Sequence, residues 1–334
     1  MFSWEDSRKP LSKCTRCLDK DAWLRCTECW DSSPHCTQCH LTAHRHHWFH
    51  WVEARRSDDD LDFTIRLGHG GEACPSRGGW LSPSKITICH TNGIHRCQVE
   101  FCHCLHAPSV PCQLIQERIW PATLDQPQTA FTTPLLTLYD HLWNVSNVNA
   151  YDFIDILQRL TDSAFPDKVP DPYDAFRRVH RMFEHLTMKK RASHYHGVKI
   201  PNWSSDDLTV ACLTCPLPSV NLPHDWAQET RAPYIYRHNL GVDACHGMPK
   251  RTKNDDKNDK ALSEGQGFMV NCTSIYQMIP LTVAKTHTCS SFKVARAQRL
   301  GKFRTVDISG VAAITCRHTF FFHQGVIDLI SGER

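Results

Sequence analysis

Cys14-Thr-Arg-Cys17, Cys26-Thr-Glu-Cys29 and Cys36-Thr-Gln-Cys39, followed by His44-Arg-His46-His47-Trp-Phe-His50, stand close together at the start of this chain. A Cys-x-x-Cys turn sets two thiolates on one side of a tight knuckle, near enough to share a metal ion. Three knuckles and a histidine-rich tail supply eight spaced soft ligands, which suffices for two tetrahedral zinc ions. The spacing predicts a small metal-built module over residues 1–54 rather than part of a large apolar core.

Two pairings satisfy the spacing. In an interleaved one, Cys14, Cys17, Cys36 and Cys39 hold one ion, and Cys26, Cys29, His44 and His50 hold the other. This is the cross-braced layout of B-box-like zinc modules, and it fits best. A sequential layout instead joins the first two knuckles on one ion and leaves the third with the histidines; the spacing leaves both open. A disulfide framework explains the cysteines less well, because it gives histidines at ligand distance no role and this chain is long for a Cys-stapled domain. A RING-type order places a histidine between Cys pairs much earlier.

The chain has 334 residues, of which 41% are hydrophobic, and a net charge of +3. That length accommodates one to three domains with cores, and the mild charge decides little about partners. The N-terminus lacks the basic and apolar regions of a signal peptide, and no apolar run approaches membrane-spanning length, so a secreted or membrane protein is not expected. Eighteen cysteines without a secretory signal favour reduced thiols and metal. The triplets at Asn144, Asn202 and Asn271 then match the glycosylation pattern by chance.

Beyond the knuckles, Asp58-Asp-Asp60 reads as a solvated linker. Short strand-like runs with turns follow from Phe63 to about Pro121, within a strand-rich cysteine-cluster region over 55–125. His69, Cys74, His95, Cys102 and Cys104 are candidates there for a third metal site, against a reading as free thiols in a small core. Residues 133–192 carry apolar side chains at helical intervals, from Leu135 to Leu186, inside a helical region over 126–232. Lys189-Lys-Arg191 closes that stretch with the positive charge that a helix C-terminus favours. Cys212-x-x-Cys215 reads as a lone knuckle without the other two ligands of a closed site. From Tyr234 the pattern turns to strands. Tyr234–Asp243 reads as one strand delivering a carboxylate at its end, and Lys250–Lys260 as a solvated loop. The runs flanking Cys316-Arg-His318 suit a hairpin.

The order of these motifs resembles the Kyakuja-Dileera-Zisupton (KDZ) transposases of fungi, with the CxC-type cysteine cluster that precedes their catalytic region. The resemblance runs from Trp4 and the knuckles through Leu67-Gly-His69, Cys74-Pro75, Thr91-Asn-Gly-Ile-His95, Phe101-Cys-His-Cys104 and Trp120-Pro-Ala-Thr123. It continues through Tyr151-Asp-Phe153, Cys212-Leu-Thr-Cys215, Asn221-Leu-Pro223 and Val242-Asp-Ala-Cys245. Thr288-Cys-Ser290, Cys316-Arg-His318 and Gly332-Glu-Arg334 complete it. Each motif is weak alone; their shared order is strong.

The resemblance implies an α+β multidomain chain: the B-box-like zinc module, a mixed strand and helix linker region, and over 233–334 the incomplete start of an RNase H-like domain. It implies a nuclear cut-and-paste DNA transposase acting on transposon ends. Structural Zn²⁺ is implied, and Mg²⁺ or Mn²⁺ between three carboxylates for an intact member. Asp243 falls at the first acidic position. His246-Gly-Met248 replaces the family's Phe-Arg-Leu, and the later acidic positions have no counterpart; Asp307 and Asp328 do not match them. The expectation is therefore a transposase fragment that keeps its zinc-binding parts without catalysis. The alternative is a non-enzymatic zinc-dependent module that binds protein or DNA. A thiol-based hydrolase or redox enzyme rests on abundant Cys and His alone.

Overall fold

Asn92-Gly93 reverses the chain between two strands whose apolar residues alternate, and this hairpin is the centre of the N-terminal half. The computed structural model describes residues 13–54, 63–76, 83–192, 208–218, 220–228, 230, 232–245, 248, 250–251, 262, 267–270, 306–308 and 310–329. It divides into two units, Met1–Phe183 and Glu184–Arg334. Trp4, Lys9, Arg55, Arg56, Asp58, Asp60, Asn202, His246, Asn271, Thr288–Ser290, Gly332–Arg334 and most of Lys250–Lys260 lie outside the described residues.

The first unit begins with the knuckle segment. Its described residues carry β1 (Leu24–Cys26), α1 (Thr37–Ala43) and β2 (Val52–Ala54), with β1 and β2 antiparallel. Its packed interior consists of Cys14, Ala22 and Cys36, with Cys39 against them. Thiols occupy the place that aliphatic side chains fill elsewhere.

Next comes a five-stranded sheet in the order β3-β5-β4-β7-β6. Its strands are β3 (Thr64–Arg66), β4 (Ser84–His90), β5 (Gly93–Glu100), β6 (Ile119–Pro121) and β7 (Thr129–Thr132). Period-two alternation sorts the side chains to two faces. Ile86 and Ile88 of β4, Val99 of β5 and Ala130 of β7 join Ile65, Phe101, Leu114 and Ile119 in one cluster. Cys89, Ile94 and Phe131, at the opposite parity of the same strands, join the helices on the other face. The sequence reading had only strands between Phe63 and Pro121. A seven-residue helix, α2 (Val110–Gln116), interrupts them, with proline in its first turn, where its missing N–H costs nothing.

The expected helical stretch forms α3 (Thr133–Ser146), α4 (Ala150–Thr161) and α5 (Tyr173–Arg191). Asn147 ends α3 in the left-handed conformation at φ 53°. Asn149 caps α4, its side-chain oxygen accepting from the Asp152 N–H at 2.9 Å. Phe153, Ile154 and Leu157 of α4 and Phe176 and Val179 of α5 are buried with Leu135, Leu136 and Tyr139 of α3. Tyr151, Ile156 and Leu160 belong to the same apolar series but lie on the outer face of α4, exposed.

In the second unit, Pro233–Tyr236 is a 3-10 turn, with proline in its first turn, so the expected strand from Tyr234 starts only at Leu240. β8 (Leu240–Cys245) joins β11 (Gly310–Cys316) and β12 (Phe321–Leu329) in an antiparallel sheet of order β12-β11-β8. The β11–β12 pair is the hairpin around Cys316-Arg-His318. The run ahead of Cys316 contributes a second strand besides β11. This is β10 (Val306–Ile308), which pairs with β9 (Lys250–Arg251) in a separate two-stranded sheet. The expected loop therefore begins as a strand. No helix among the described residues is long and apolar enough to cross a membrane.

Candidate metal centres

Backbone N–H groups turn toward the knuckle sulfurs. The N–H of Cys29 points at the Cys26 Sγ at 3.3 Å. Burial raises the Cys14 thiol, but backbone N–H groups of Cys17, Cys36 and Arg16 outweigh it and bring it down to about 6. Such N–H groups favour the thiolate, which is the form that binds metal.

The structure brings Cys14, Cys17, Cys36 and Cys39 together, and separately Cys26, Cys29, His44 and His50. Within each set the ligand atoms lie within 4.8 Å of one another. This grouping is the interleaved one, with the first and third knuckles side by side. The Cys17 and Cys36 sulfurs are 4.0 Å apart. In the second set, His44 Nε2 is 3.3 Å from Cys29 Sγ. His50 Nδ1 is 3.4 Å from both Cys26 Sγ and Cys29 Sγ. A tetrahedral site with Zn–S bonds of ~2.3 Å has S···S edges of about 3.8 Å, and slightly shorter S···N edges. A disulfide requires about 2.05 Å, and the described cysteines are all free thiols.

The two histidines present different nitrogens for a local reason. His44 Nδ1 lies 3.2 Å from the His40 carbonyl, one turn back on α1. Donation there leaves Nε2 with its lone pair free for a metal. Burial lowers both His44 and His50, which also keeps them neutral. The crowded thiols need a cation. Desolvation and the neighbouring Cys36, Cys14 and Cys17 push Cys39 up to about 12. Desolvation and Cys26 push Cys29 to about 11. Four sulfurs this close do not all ionise unless positive charge is placed among them. The donor set of soft thiolate and imidazole, in tetrahedral spacing, fits zinc.

Of the five residues expected at a third site, His69, Cys74, Cys102 and Cys104 converge. His69 Nε2 is 3.2 Å from Cys102 Sγ and 3.5 Å from Cys104 Sγ, and Cys74 Sγ is 3.8 Å from Cys104 Sγ. The His103 N–H, outweighing burial, brings Cys74 down to about 6. Gln113, which the sequence reading passed over, fixes this loop from α2. Buried at 5% exposure, it accepts from the Cys102 N–H at 2.8 Å and donates to the Cys102 carbonyl at 3.0 Å and the Pro108 carbonyl at 2.8 Å. A buried glutamine on a short helix had no periodic signature to reveal it.

His95, the fifth residue expected there, is not among the converging ligands. It stands apart from the third cluster, on the hairpin at the centre of the sheet. Its Nε2 is 2.9 Å from Asn92 Oδ1, and its ring stacks on Trp51 with centroids 4.3 Å apart. Trp51 Nε1 donates to the Asn92 carbonyl at 2.9 Å, and Asn92 Nδ2 donates to the Phe49 carbonyl at 2.7 Å. His95 thus joins the knuckle segment to the sheet. Burial, then the nearby His90, lowers it to about 4, so it is neutral.

Asp243 lies inside β8, opposite Ala313, not at a strand end. It is exposed, and its Oδ1 accepts from the Ala244 N–H at 2.7 Å. It belongs to none of the ligand clusters among the described residues. Asp307 falls in β10 and Asp328 in β12. Among the described residues no second carboxylate converges with Asp243 in a ligand group of the kind a pair of Mg²⁺ or Mn²⁺ ions needs. The knuckle read as lone, Cys212-x-x-Cys215, has company: Cys316 and His318 converge on it.

Of the basic and aromatic residues at the N-terminus, several are already engaged. Arg45 pairs with Glu72 at 2.7 Å and donates to the Gly70 carbonyl at 2.6 Å. Lys13 pairs with Asp21 at 3.2 Å, and Trp48 donates to the Arg45 carbonyl at 2.7 Å. Trp30, directly after Cys29, is fully exposed.

Two family models match the chain. Residues 59–164 match the CxC2-like cysteine cluster associated with KDZ transposases, and residues 236–334 match the Kyakuja-Dileera-Zisupton transposase family. The first match begins after the two N-terminal clusters and contains the third. No curated protein and no solved structure matches the chain.

Proposed function

The chain is a KDZ transposase-related protein, and from that premise we propose that it is a nuclear, DNA-binding component of transposition that does not cut DNA by itself. The zinc-built first unit grips DNA at the ends of the element. The three-stranded sheet of the second unit belongs to an RNase H-like domain, with Asp243 at its first acidic position. Two zinc ions order the N-terminal module and a third orders the loops around Cys74 and Cys102. Zinc capture supplies roughly 10 kcal/mol or more of folding free energy, which replaces the apolar core that residues 13–54 lack.

The observation that carries the reading is the fully exposed Trp30, held beside Cys29 of the second cluster. An exposed indole next to a metal-braced knuckle offers a stacking face for an unpaired base, with Arg16 and Lys20 on the same segment for phosphate. Catalysis is absent in this reading because one exposed carboxylate, engaged with its own neighbour's N–H, does not organise two cations.

The test is a binding titration of the zinc-loaded chain on single- and double-stranded DNA at two salt concentrations. Affinity should fall steeply with salt, and Trp30→Ala should weaken single-strand binding by about fivefold or more, the low end of a lost base stack. Affinity indifferent to salt supports the second reading, a protein-binding module. That reading is favoured by Asp19, Asp21, Glu28 and Asp31, which offset the basic residues around Trp30. Nicking of DNA by the purified chain with Mg²⁺, lost in Asp243→Asn, would overturn the claim that it does not cut.

A further inference from the structure

We propose that Cys212, Cys215, Cys316 and His318 form a further structural zinc site, a staple that ties the chain ahead of β8 to the tip of the β11–β12 hairpin. The site lies wholly in the second unit and does not depend on the DNA-binding reading.

His318 Nδ1 is 3.5 Å from Cys212 Sγ, 3.5 Å from Cys215 Sγ and 4.0 Å from Cys316 Sγ. All four ligand atoms lie within 4.8 Å of one another. Two of the His318 separations match the ~3.5 Å N···S edge of a tetrahedron around zinc with Zn–S of about 2.3 Å and Zn–N of about 2.0 Å, and the third is about half an ångström longer. Three thiols and one imidazole fill all four positions from the protein. A closed site of soft ligands is structural; it leaves no position for a reacting water.

The surroundings hold each ligand without the metal, as a built site requires. Asn221 clamps the knuckle. Its Nδ2 donates to the Leu213 carbonyl at 2.8 Å and the Cys215 carbonyl at 2.8 Å, while its Oδ1 accepts from the Leu217 N–H at 2.7 Å. On the other side, the Cys316 N–H donates to the Phe320 carbonyl and the Thr319 N–H to the Cys316 carbonyl, both at 2.9 Å. This closes the tight turn that presents His318. Cys215 and Cys316 are buried at 5% and 3% exposure. A further bond ties the knuckle to the chain just ahead of β8: His238 Nε2 donates to the Pro216 carbonyl at 2.8 Å.

The position explains what the staple does. Cys316 is the β11 partner of Leu240, the first residue of β8. The ion therefore sits at the Leu240 end of the sheet, and Asp243 lies three residues further along β8, about 10 Å away at strand rise. Cys212 and His318 are 106 residues apart in sequence. One ion fixes both ends of that span and sets where β8 enters the sheet. The cluster orders the strand that carries Asp243 without touching that residue.

The test uses the full zinc-loaded chain. Cysteine alkylation is read residue by residue by mass spectrometry, before and after a strong chelator, alongside the zinc content. Cys212, Cys215 and Cys316 should be protected with zinc and become reactive after chelation, whereas exposed Cys245 should react in both. Cys212→Ser and His318→Ala should each lose one zinc per chain relative to the unmodified protein, and His318→Cys should retain it. Should either loss variant fail to fold, the alkylation pattern of the unmodified chain decides. Cys212 reacting at the same rate with and without chelator, or an unchanged zinc count in both folded variants, would overturn the proposal.

Discussion

Replacing Gly93 with alanine tests how the knuckle segment is joined to the sheet. Gly93 sits at φ +145°, a region that L side chains rarely adopt. A Cβ built there meets Thr161 Oγ1 at 2.9 Å and the Trp51 ring at 3.0 Å. Neither neighbour gives way freely. Thr161 Oγ1 accepts from the Ile94 N–H at 2.7 Å and donates to the Leu157 carbonyl at 2.7 Å. Trp51 is held by its bond to the Asn92 carbonyl and its stack on His95. Backbone strain contributes roughly 1–3 kcal/mol. Losing the hydrogen bond to Thr161 adds about 1 kcal/mol, and displacing Trp51 adds to both. The expected loss is about 3 kcal/mol, a large share of the roughly 5–15 kcal/mol by which a folded domain is stable. Equilibrium urea unfolding of the zinc-loaded chain, followed by helical circular dichroism, reads this as a lowered midpoint. Gly70→Ala is the control, since Gly70 has φ +60° but nothing within 4 Å of its Cβ, so it bears only the backbone term of about 1–2 kcal/mol. Adding Thr161→Ala to Gly93→Ala should recover part of the loss, because the nearest obstructing atom is gone. A Gly93→Ala midpoint no lower than that of Gly70→Ala would show that the join is looser than the described contacts require.

Two further outcomes follow from the same geometry. Burial holds His95 at about 4 against an ordinary 6.5, so the unfolded chain binds the extra proton in that window. Its stabilising contribution is complete above pH 6.5 and is lost as pH falls toward 4, roughly 3 kcal/mol in all. His95→Gln should flatten the stability–pH curve over that range relative to the unmodified protein; parallel curves would contradict a buried neutral imidazole. Cys26→Ser or His50→Ala should each remove one zinc per chain by metal analysis and leave the Cys14 cluster loaded. Loss of metal from the Cys14 cluster alone would favour a different pairing.

The sequence by itself determined what is local. Cys-x-x-Cys knuckles form from neighbours three residues apart, so their existence was legible at 14, 26, 36 and 212. Short strand-like runs between Phe63 and about Pro121 and helical spacing over 133–192 followed from the periods of strand and helix. Tertiary structure alone decided which half-sites meet. Nothing near Cys212 announces Cys316 and His318, because ligands separated by more than a hundred residues are joined only when β11 and β12 fold back beside the knuckle. His95 failed for the complementary reason. Residue type made it a ligand candidate, but its direction on the hairpin turned it into the contact between Trp51 and Asn92. Asp243 moved from a strand end to a strand interior because β8 runs on to Cys245, with Ala244 and Cys245 still paired to Ala312 and Val311 of β11, while the 3-10 turn at Pro233 only delays the strand's start to Leu240. Metal chemistry is written in residue types and short spacings, whereas a site's membership depends on orientation across distant segments, which only the folded backbone sets.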